Sequence, residues 1–364
     1  MRVGLDVHVL TGPAQGTVTV WRAMLRQLPP DATYVLYSFD PAITAAEFPA
    51  PHFEHRRIPV RQPHLRFQLA YPLLARRDRC DVFHTNYYLP LLAGPGSVVT
   101  IHDIIYLDFP AFAPPGGRAR FGALTAWAAR HARAVLTPSA YTKDRLVARF
   151  GIPADRVTVV PNALAPEWLA PDDAAIAQAW DRLRARIHLP DRFVLGVGRF
   201  DPRKNVVASA RAARALERDS ITDGLVWVGA DDFGSPAILR SLEAEGLRVV
   251  RLEQLSTIEL QAVYRHAQAL VFLSLAEGFG YPPLEAMAMG TPAVVSNRTA
   301  MPEVVGTAAR LVDPDDGRAV IEALRDVITN TAAYRAAGLG HAARFTAADM
   351  ATRTAAVYRR AARS

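Results

Sequence analysis

From Ser274 to Gly290 the chain reads SLAEGFGYPPLEAMAMG, and the reading of this stretch decides the fold. Two carboxylates, Glu277 and Glu285, stand eight positions apart, with Gly278, Phe279, Gly280 and a Pro-Pro pair between them. The residues before it, Ala269 to Leu273, are apolar enough for a buried parallel strand, and those after it, Thr291 to Asn297, read as another. The segment is therefore strand, glycine loop, short helix, strand. Glu277 falls on the loop at the carboxyl end of a strand, where open α/β sheets bind ligands. Glu285 falls about one turn into a helix that begins near Pro283, a residue suited to a first helical position. A glycine loop entering a helix N-terminus presents backbone N–H groups to a phosphate. Ionised carboxylates around it are strong acceptors for sugar hydroxyls.

Outward from this stretch, apolar strands alternate with helical segments along the whole chain, the pattern of parallel α/β sheets. In the first half strands are expected near Val3–Val9, Tyr34–Ser38, Val82–Thr85, Ser97–Ile101, Ala134–Pro138 and Val157–Val160, with helices such as Trp21 to Leu28 and Tyr141 to Phe150 between them. Asn162 to Asp173 holds Pro166 and Pro171 and little regular pattern, so it reads as a linker. A second series follows near Phe193–Val197, Leu225–Val228, Val249–Leu252, Leu270–Leu273, Ala293–Ser296 and Ala309–Val312, and a last helix runs from about Ala347 to Arg360. The expected domains are 1–165, 172–345 and a closing helix over 346–364. Two Rossmann-like domains would face each other across a cleft, where ligand chemistry belongs.

A second constellation lies at Phe193 to Asn205, FVLGVGRFDPRKN. Arg199 leaves the strand end, and Lys204 stands just before the expected helix, so both cations can meet one anion beside a helix N-terminus. Gly196 and Gly198 lack the third glycine of a dinucleotide fingerprint. Of 42 basic residues only Lys143 and Lys204 are lysine, and Lys204 fits a site that needs a compact ammonium. Arg203 reads as a solvated neighbour. After the first strand, Gly12 and Gly16 bracket a loop able to bring backbone N–H groups near a phosphate. His102, at another strand end, is placed to hydrogen-bond a substrate hydroxyl, with Asp103 as its structural partner. Ser139 and Asn162 read as caps or turns, and Asp231-Asp232 as a turn. No cluster has metal-ligand spacing, and the Gly-x-Ser-x-Gly elbow of hydrolases is absent.

A length of 364 residues suits two domains. The apolar start carries Asp6 and His8, which makes it a first strand and not a signal peptide. No uncharged apolar run reaches the roughly 20 residues of a membrane span, and the stretch Thr85 to Ile101 is broken by Pro90, Gly94, Pro95 and Gly96. The single cysteine, Cys80, excludes an internal disulfide and fits a reducing compartment. Residues 1–170 hold 18 basic and 12 acidic side chains, against 24 and 23 in the rest, so the first half carries nearly all of the net charge of +7. An expected helix over Arg118 to Arg133 puts Phe121, Leu124, Trp127 and Ala128 on one face, flanked by Arg120, Arg130 and Arg133. With Arg56, Arg57, Arg61, Arg66, Arg76, Arg77 and Arg79 this makes either a basic surface for an anionic membrane or a core-packed helix with a solvated outer face.

On these residues the chain resembles the retaining glycosyltransferases of family 4, with the GT-B fold. The resemblance is carried by Gly198-Arg199 with Lys204-Asn205 and by Glu277 with Glu285. It is supported by the first glycine loop, His102-Asp103, Pro138-Ser139, Pro161-Asn162 and Asn297 with Pro302-Glu303. It implies that Arg199 and Lys204 hold the donor diphosphate, with Gly16 and Gly198 beside it. It implies that Glu277 binds sugar hydroxyls next to Gly278, Phe279 and Gly280, that Glu285 takes the ribose hydroxyls, that His102 touches the donor sugar, and that Arg251 and Leu252 flank the base. The closing helix would cross back to the first domain. The implied reaction is metal-independent retaining transfer from a nucleoside-diphosphate sugar, GDP-mannose first and UDP- or dTDP-sugars next, to a saccharide or polyprenyl-linked saccharide. No cofactor and no nucleic-acid partner are expected, and the place of work is the cytoplasm, at the inner face of the membrane. Family members often show Gly-Gly-x-Gly after the first strand, which this chain varies. An epimerase or hydrolase of nucleotide sugars on the same plan is the alternative, told apart by donor turnover without acceptor.

Overall fold

The computed structural model describes every residue except 13–15, 92–93, 95, 113–117, 233 and 364. The chain divides into two compact units, Met1–Ala165 with Phe345–Ser364, and Pro166–Arg344. Among the described residues of the first unit the strands are β1 (Arg2–Asp6), β2 (Thr33–Ser38), β3 (Phe53–Arg57), β4 (Val82–Asn86), β5 (Ser97–Thr100), β6 (Ala134–Thr137) and β7 (Val157–Val159). All pair in parallel, in the order β3-β2-β1-β4-β5-β6-β7. Helices bury both faces of such a sheet, which is why its central strands are continuous apolar runs: Tyr34, Val35, Leu36 and Tyr37 have no exposed surface.

Several details differ from the sequence expectation, among them a first helix that runs Gly16–Leu25 and not Trp21 to Leu28. Strand β3, FEHRR, was not foreseen. It lies at the sheet edge, where paired neighbours stand on one side only and charged side chains blunt the free edge, so it shows no apolar period. β1 stops at Asp6 and not Val9. His8–Thr11 turns into a 3₁₀ helix, fixed by the His8 ring on the buried Asp6 carboxylate at 2.6 Å and by the Thr11 hydroxyl on the His8 carbonyl. The helix Arg118–His131 buries Gly122, Thr125, Ala128 and Ala129, while Phe121 is exposed and Leu124 and Trp127 are half-buried, so the predicted apolar face is rotated away from the core. The buried side of this helix is made of small residues, which an apolar-face count cannot foresee.

In the second unit the strands are β8 (Val194–Val197), β9 (Leu225–Val228), β10 (Val249–Leu252), β11 (Ala269–Phe272), β12 (Ala293–Ser296) and β13 (Arg310–Val312). They are also parallel, in the order β10-β9-β8-β11-β12-β13. The order reverses between β8 and β11, which pair Val194 with Ala269 and Leu195 with Leu270. The core on one side of this sheet is filled from the helices Val206–Arg218 and Gly317–Thr329. The expected linker is ordered: Asn162 to Ala165 are buried, and Pro166–Leu169 is a helical turn with Trp168 buried. The last helix, Ala347–Ala362, belongs to the first unit. Its Tyr358 hydroxyl meets His84 Nδ1 on β4 at 2.7 Å, and Arg359 pairs with Asp31 at 2.7 Å.

Candidate active site

A parallel sheet offers its ligand crevice at the carboxyl ends of the two strands where the order reverses. In the second unit these are β8 and β11. β8 leaves through Gly196 and Gly198, and the structure explains both. A Cβ on Gly196 would stand 2.1 Å from the Trp227 ring, so this glycine makes room for Trp227, whose indole N–H donates to the Gly198 carbonyl at 2.8 Å. Gly198 has φ +140°, a conformation that side-chain-bearing residues rarely take, and a Cβ there would lie 2.8 Å from Lys204 Cε. The Gly-x-Gly is thus a packing device that lets Lys204 fold back over the strand end. The chain returns through a 3₁₀ turn, Pro202–Lys204. Asp201 caps it by accepting the Arg203 N–H at 2.8 Å, and Asn205 (φ 53°) then starts the helix Val206–Arg218.

β11 leads into Ser274 and Glu277. Lys204 Nζ donates to Glu277 Oε1 at 2.6 Å and rests 4.8 Å from the centre of the Phe272 ring. The Ser274 hydroxyl donates to the same oxygen at 2.6 Å, and Arg203 Nη1 lies 2.7 Å from it. The Glu277 N–H donates to Thr299 Oγ1 at 2.9 Å. The sequence reading of Arg203 as a solvated neighbour is therefore corrected: its side chain is about one-fifth exposed, and Nη1 also donates to the Ala276 carbonyl at 2.7 Å. Burial alone would raise the Glu277 carboxyl, but Arg203 and then Lys204 outweigh it and hold it at about 2. Burial pushes the Lys204 ammonium down, with Glu277 opposing. Glu277 is therefore ionised at neutral pH, paired with both Arg203 and Lys204, and removing those partners would leave its charge buried and uncompensated.

The helix after the glycine loop is Tyr281–Ala288, two residues earlier than expected, with Pro282 and Pro283 in its first turn. Its N-cap, Gly280, has φ +102°, and a Cβ there would meet Met301 Cε at 2.4 Å. Gly278 and Phe279 are buried in the loop, and the Phe279 ring meets Tyr281 edge-on. Glu285 accepts the Tyr264 hydroxyl at 2.8 Å. Burial pushes its carboxyl up to about 7, against that hydrogen bond. Two carboxylates on one loop-helix unit thus differ in charge state: Glu277 is locked as an anion by its cations, whereas Glu285 titrates near neutrality.

The remaining candidates are placed as follows. Arg199 does not join Lys204. Its side chain is 63% exposed, against 9% for Lys204, and it pairs with Asp232 at 3.2 Å. Arg251 stacks on the Phe200 ring at 4.5 Å and holds Asp231 and Glu253, each at 2.6 Å. Asp231-Asp232 therefore anchors two arginines and is more than a turn. The Leu252 side chain is buried in the sheet, which leaves only its backbone to reach a base. In the first unit, Gly16 opens the helix Gly16–Leu25, and residues 13–15 of the glycine loop lie outside the described residues. His102 sits at the end of β5, with Nε2 3.3 Å from Asn86 Oδ1, and burial pushes it down to about 4, so its ring is neutral. Asp103 accepts the Ile105 N–H, and Ser139 caps the helix Ala140–Phe150. Ser274, Thr299 and Tyr264, which complete the site, carry no sequence signal of their own. Among the described residues no group of three or more His, Cys, Asp and Glu side chains could hold a metal ion.

Comparison with known proteins bears on the family and the fold. Residues 191–330 match the family model described as Glycosyl transferases group 1, and residues 14–168 match the model described as Glycosyltransferase Family 4. The O-antigen chain mannosyltransferase B of Escherichia coli is 28% identical over 295 residues, spanning 78% of this chain and 76% of that protein. D-inositol 3-phosphate glycosyltransferase 1 of Catenulispora acidiphila is 30% identical over 315 residues, spanning 77% of this chain and 72% of that protein. Among solved structures, the sucrose-phosphate synthase of Thermosynechococcus elongatus superposes with a TM-score of 0.73 at 19% identity, covering 99% of this chain and 98% of that one.

Proposed function

Because the chain belongs to glycosyltransferase family 4, with the GT-B fold and the activity of a hexosyltransferase, we propose that it moves mannose from GDP-mannose to a saccharide or polyprenyl-linked saccharide, with retention at the anomeric carbon and without a metal. The reading rests on one observation above all, the buried Lys204–Glu277–Arg203 cluster at the switch point of the second sheet. An ammonium has three N–H donors. Glu277 takes one of them, which aims Lys204 and leaves donors for a phosphate. The mannose assignment is supported by the O-antigen mannosyltransferase among the relatives. A saccharide anchored through a polyprenyl diphosphate would bring an anionic membrane surface with it.

The chemistry follows from charge. As the glycosidic C–O bond breaks, the departing nucleoside diphosphate gains negative charge. Lys204 is held beside the place where that charge grows, so it needs no reorganisation at the moment of reaction. The acceptor hydroxyl attacks from the face of the leaving group, and its proton passes to the leaving phosphate oxygen. Glu277 is too acidic to take that proton and serves instead to receive sugar hydroxyls and orient Lys204. Glu285, when ionised, accepts the ribose hydroxyls. Calorimetric titration with GDP and with UDP in metal-free buffer tests the reading: GDP binding tighter than UDP is expected, and binding of neither would overturn it.

A further inference from the structure

The first unit carries a leucine stripe that nothing above uses. Residues 63–77 form one continuous helical stretch, with a π turn at Arg66–Ala70 between α-helical ends. Its inner side, Arg66, Ala70, Tyr71 and Leu74, is buried. Its outer side presents Leu65, Leu69 and Leu73 on successive turns, 49%, 57% and 64% exposed. Leu91 and Phe121 continue the patch. The Leu91 N–H donates to Gln68 Oε1 at 2.8 Å, and the Tyr88 ring bridges Phe67 and Phe121 at centroid distances of 6.0 and 6.3 Å. Five of the nine large hydrophobic side chains exposed among the described residues therefore lie on one face. A contiguous apolar face of this kind marks an interaction surface.

Charge says what covers it. From His55 to Arg77 the chain has six arginines and no acidic residue. From Val82 to His102 it has neither Asp nor Glu, and from Phe109 to Lys143 it has four arginines, one lysine and again no acid. The three segments that supply the patch are thus purged of negative charge, while Arg61, Arg76, Arg77 and Arg79 stand exposed on or beside the leucine helix. Leucines on one helical face with arginines alongside suit the boundary between acyl chains and anionic headgroups. We infer that the helix 63–77 lies flat on an anionic lipid surface, with Leu65, Leu69 and Leu73 inserted between headgroups. The inference deepens the polyprenyl-linked acceptor reading and rests on it for its purpose. The sequence reading grouped Arg61, Arg76, Arg77 and Arg79 with the helix Arg118–His131 as one of two alternatives; the leucine helix 63–77 that it passed over now supplies the apolar part of that face.

Flotation of the full chain with phosphatidylcholine vesicles, with and without phosphatidylglycerol, tests it. The wild type is expected to float with the anionic vesicles only, and less at high salt. The triple variant Leu65→Ser, Leu69→Ser, Leu73→Ser should lose roughly tenfold or more of the bound fraction with an unchanged melting temperature, since these side chains are already exposed. Absence of wild-type flotation, or equal flotation of wild type and variant, would overturn the proposal. So would a concentration-dependent dimer, seen by light scattering, that the triple variant abolishes, because the face would then belong to a second copy. Flotation without GDP or UDP binding would uphold the surface and count against the transfer reading alone.

Discussion

Lys204 and Glu285 make separable demands on the chemistry. Lys204→Met removes the only buried ammonium in the switch-point cluster, and turnover should fall by about two orders of magnitude, near 3 kcal/mol of transition-state energy. Single-turnover kinetics check this, and an unchanged rate would strip Lys204 of its role. For Glu285 the carboxyl titrates near 7, so it is mostly neutral at pH 6 and mostly ionised at pH 8. If the ionised form accepts the ribose hydroxyls, nucleotide affinity should rise by up to about tenfold across that range, and Glu285→Gln should flatten the dependence. Titration with GDP at several pH values decides it, and the same slope in the variant would assign the pH effect elsewhere. At this scale the sequence showed the residue types but not their pairing. Arg199 and Arg203 both flank the expected phosphate loop. Only the 3₁₀ turn after Asp201 turns Arg203 inward, while Arg199 meets Asp232. Such a turn depends on one side-chain cap, too local to leave a periodic mark.

Among the elements, the strand-to-helix connection at β8 is the most constrained. Gly198→Ala would put a Cβ 2.8 Å from Lys204 Cε at a φ of +140°, a backbone strain of about 1–3 kcal/mol. Either Lys204 moves or the strand end does. We expect nucleotide affinity to fall tenfold or more, with a lowered melting temperature. Calorimetry beside thermal melting measures both, and unchanged nucleotide affinity would show that Lys204 does not depend on this glycine. The central strands were legible because two-sided burial demands an unbroken run of apolar residues, as in β8 (VLGV), β9 (LVWV) and β11 (ALVF). β3 was not, since an edge strand of Phe, Glu, His and two Arg obeys a different requirement. The helix 63–77 escaped for a related reason. Three of its four leucines face outward and its buried side includes Arg66, which inverts the pattern that sequence reading looks for.

Across the whole molecule, acid should weaken the first unit before the second. Burial depresses His84 to about 3 and His102 to about 4. Depressed histidines contribute stability that is complete above their unfolded value, about 6.5, and is lost as pH falls towards the folded values, because the unfolded chain then binds the proton first. The expected loss begins below pH 6.5 and reaches several kcal/mol by pH 4. Glu277 opposes nothing in this window, being ionised down to about 2. Melting curves between pH 7 and 4 should show the first unit's transition moving down, and His84→Asn should reduce the shift. Tyr358→Phe would test the tie to the last helix: it leaves His84 Nδ1 without its partner and should cost about 1–3 kcal/mol.

The last helix belongs to the first unit, so the second unit is a contiguous stretch, Pro166–Arg344, set inside a discontinuous one. A ribosome delivers the chain in order. Residues 166–344 emerge complete and can close their sheet at once. The first sheet, although made earlier, lacks the helix that covers His84 and the ends of β4 to β6 until residues 345–362 appear. During synthesis the earlier-made half is therefore the later to mature. The seat of that helix around His84 stays uncovered for the time needed to translate the other half, and we expect the nascent N-terminal unit to be held open there until the last residues arrive.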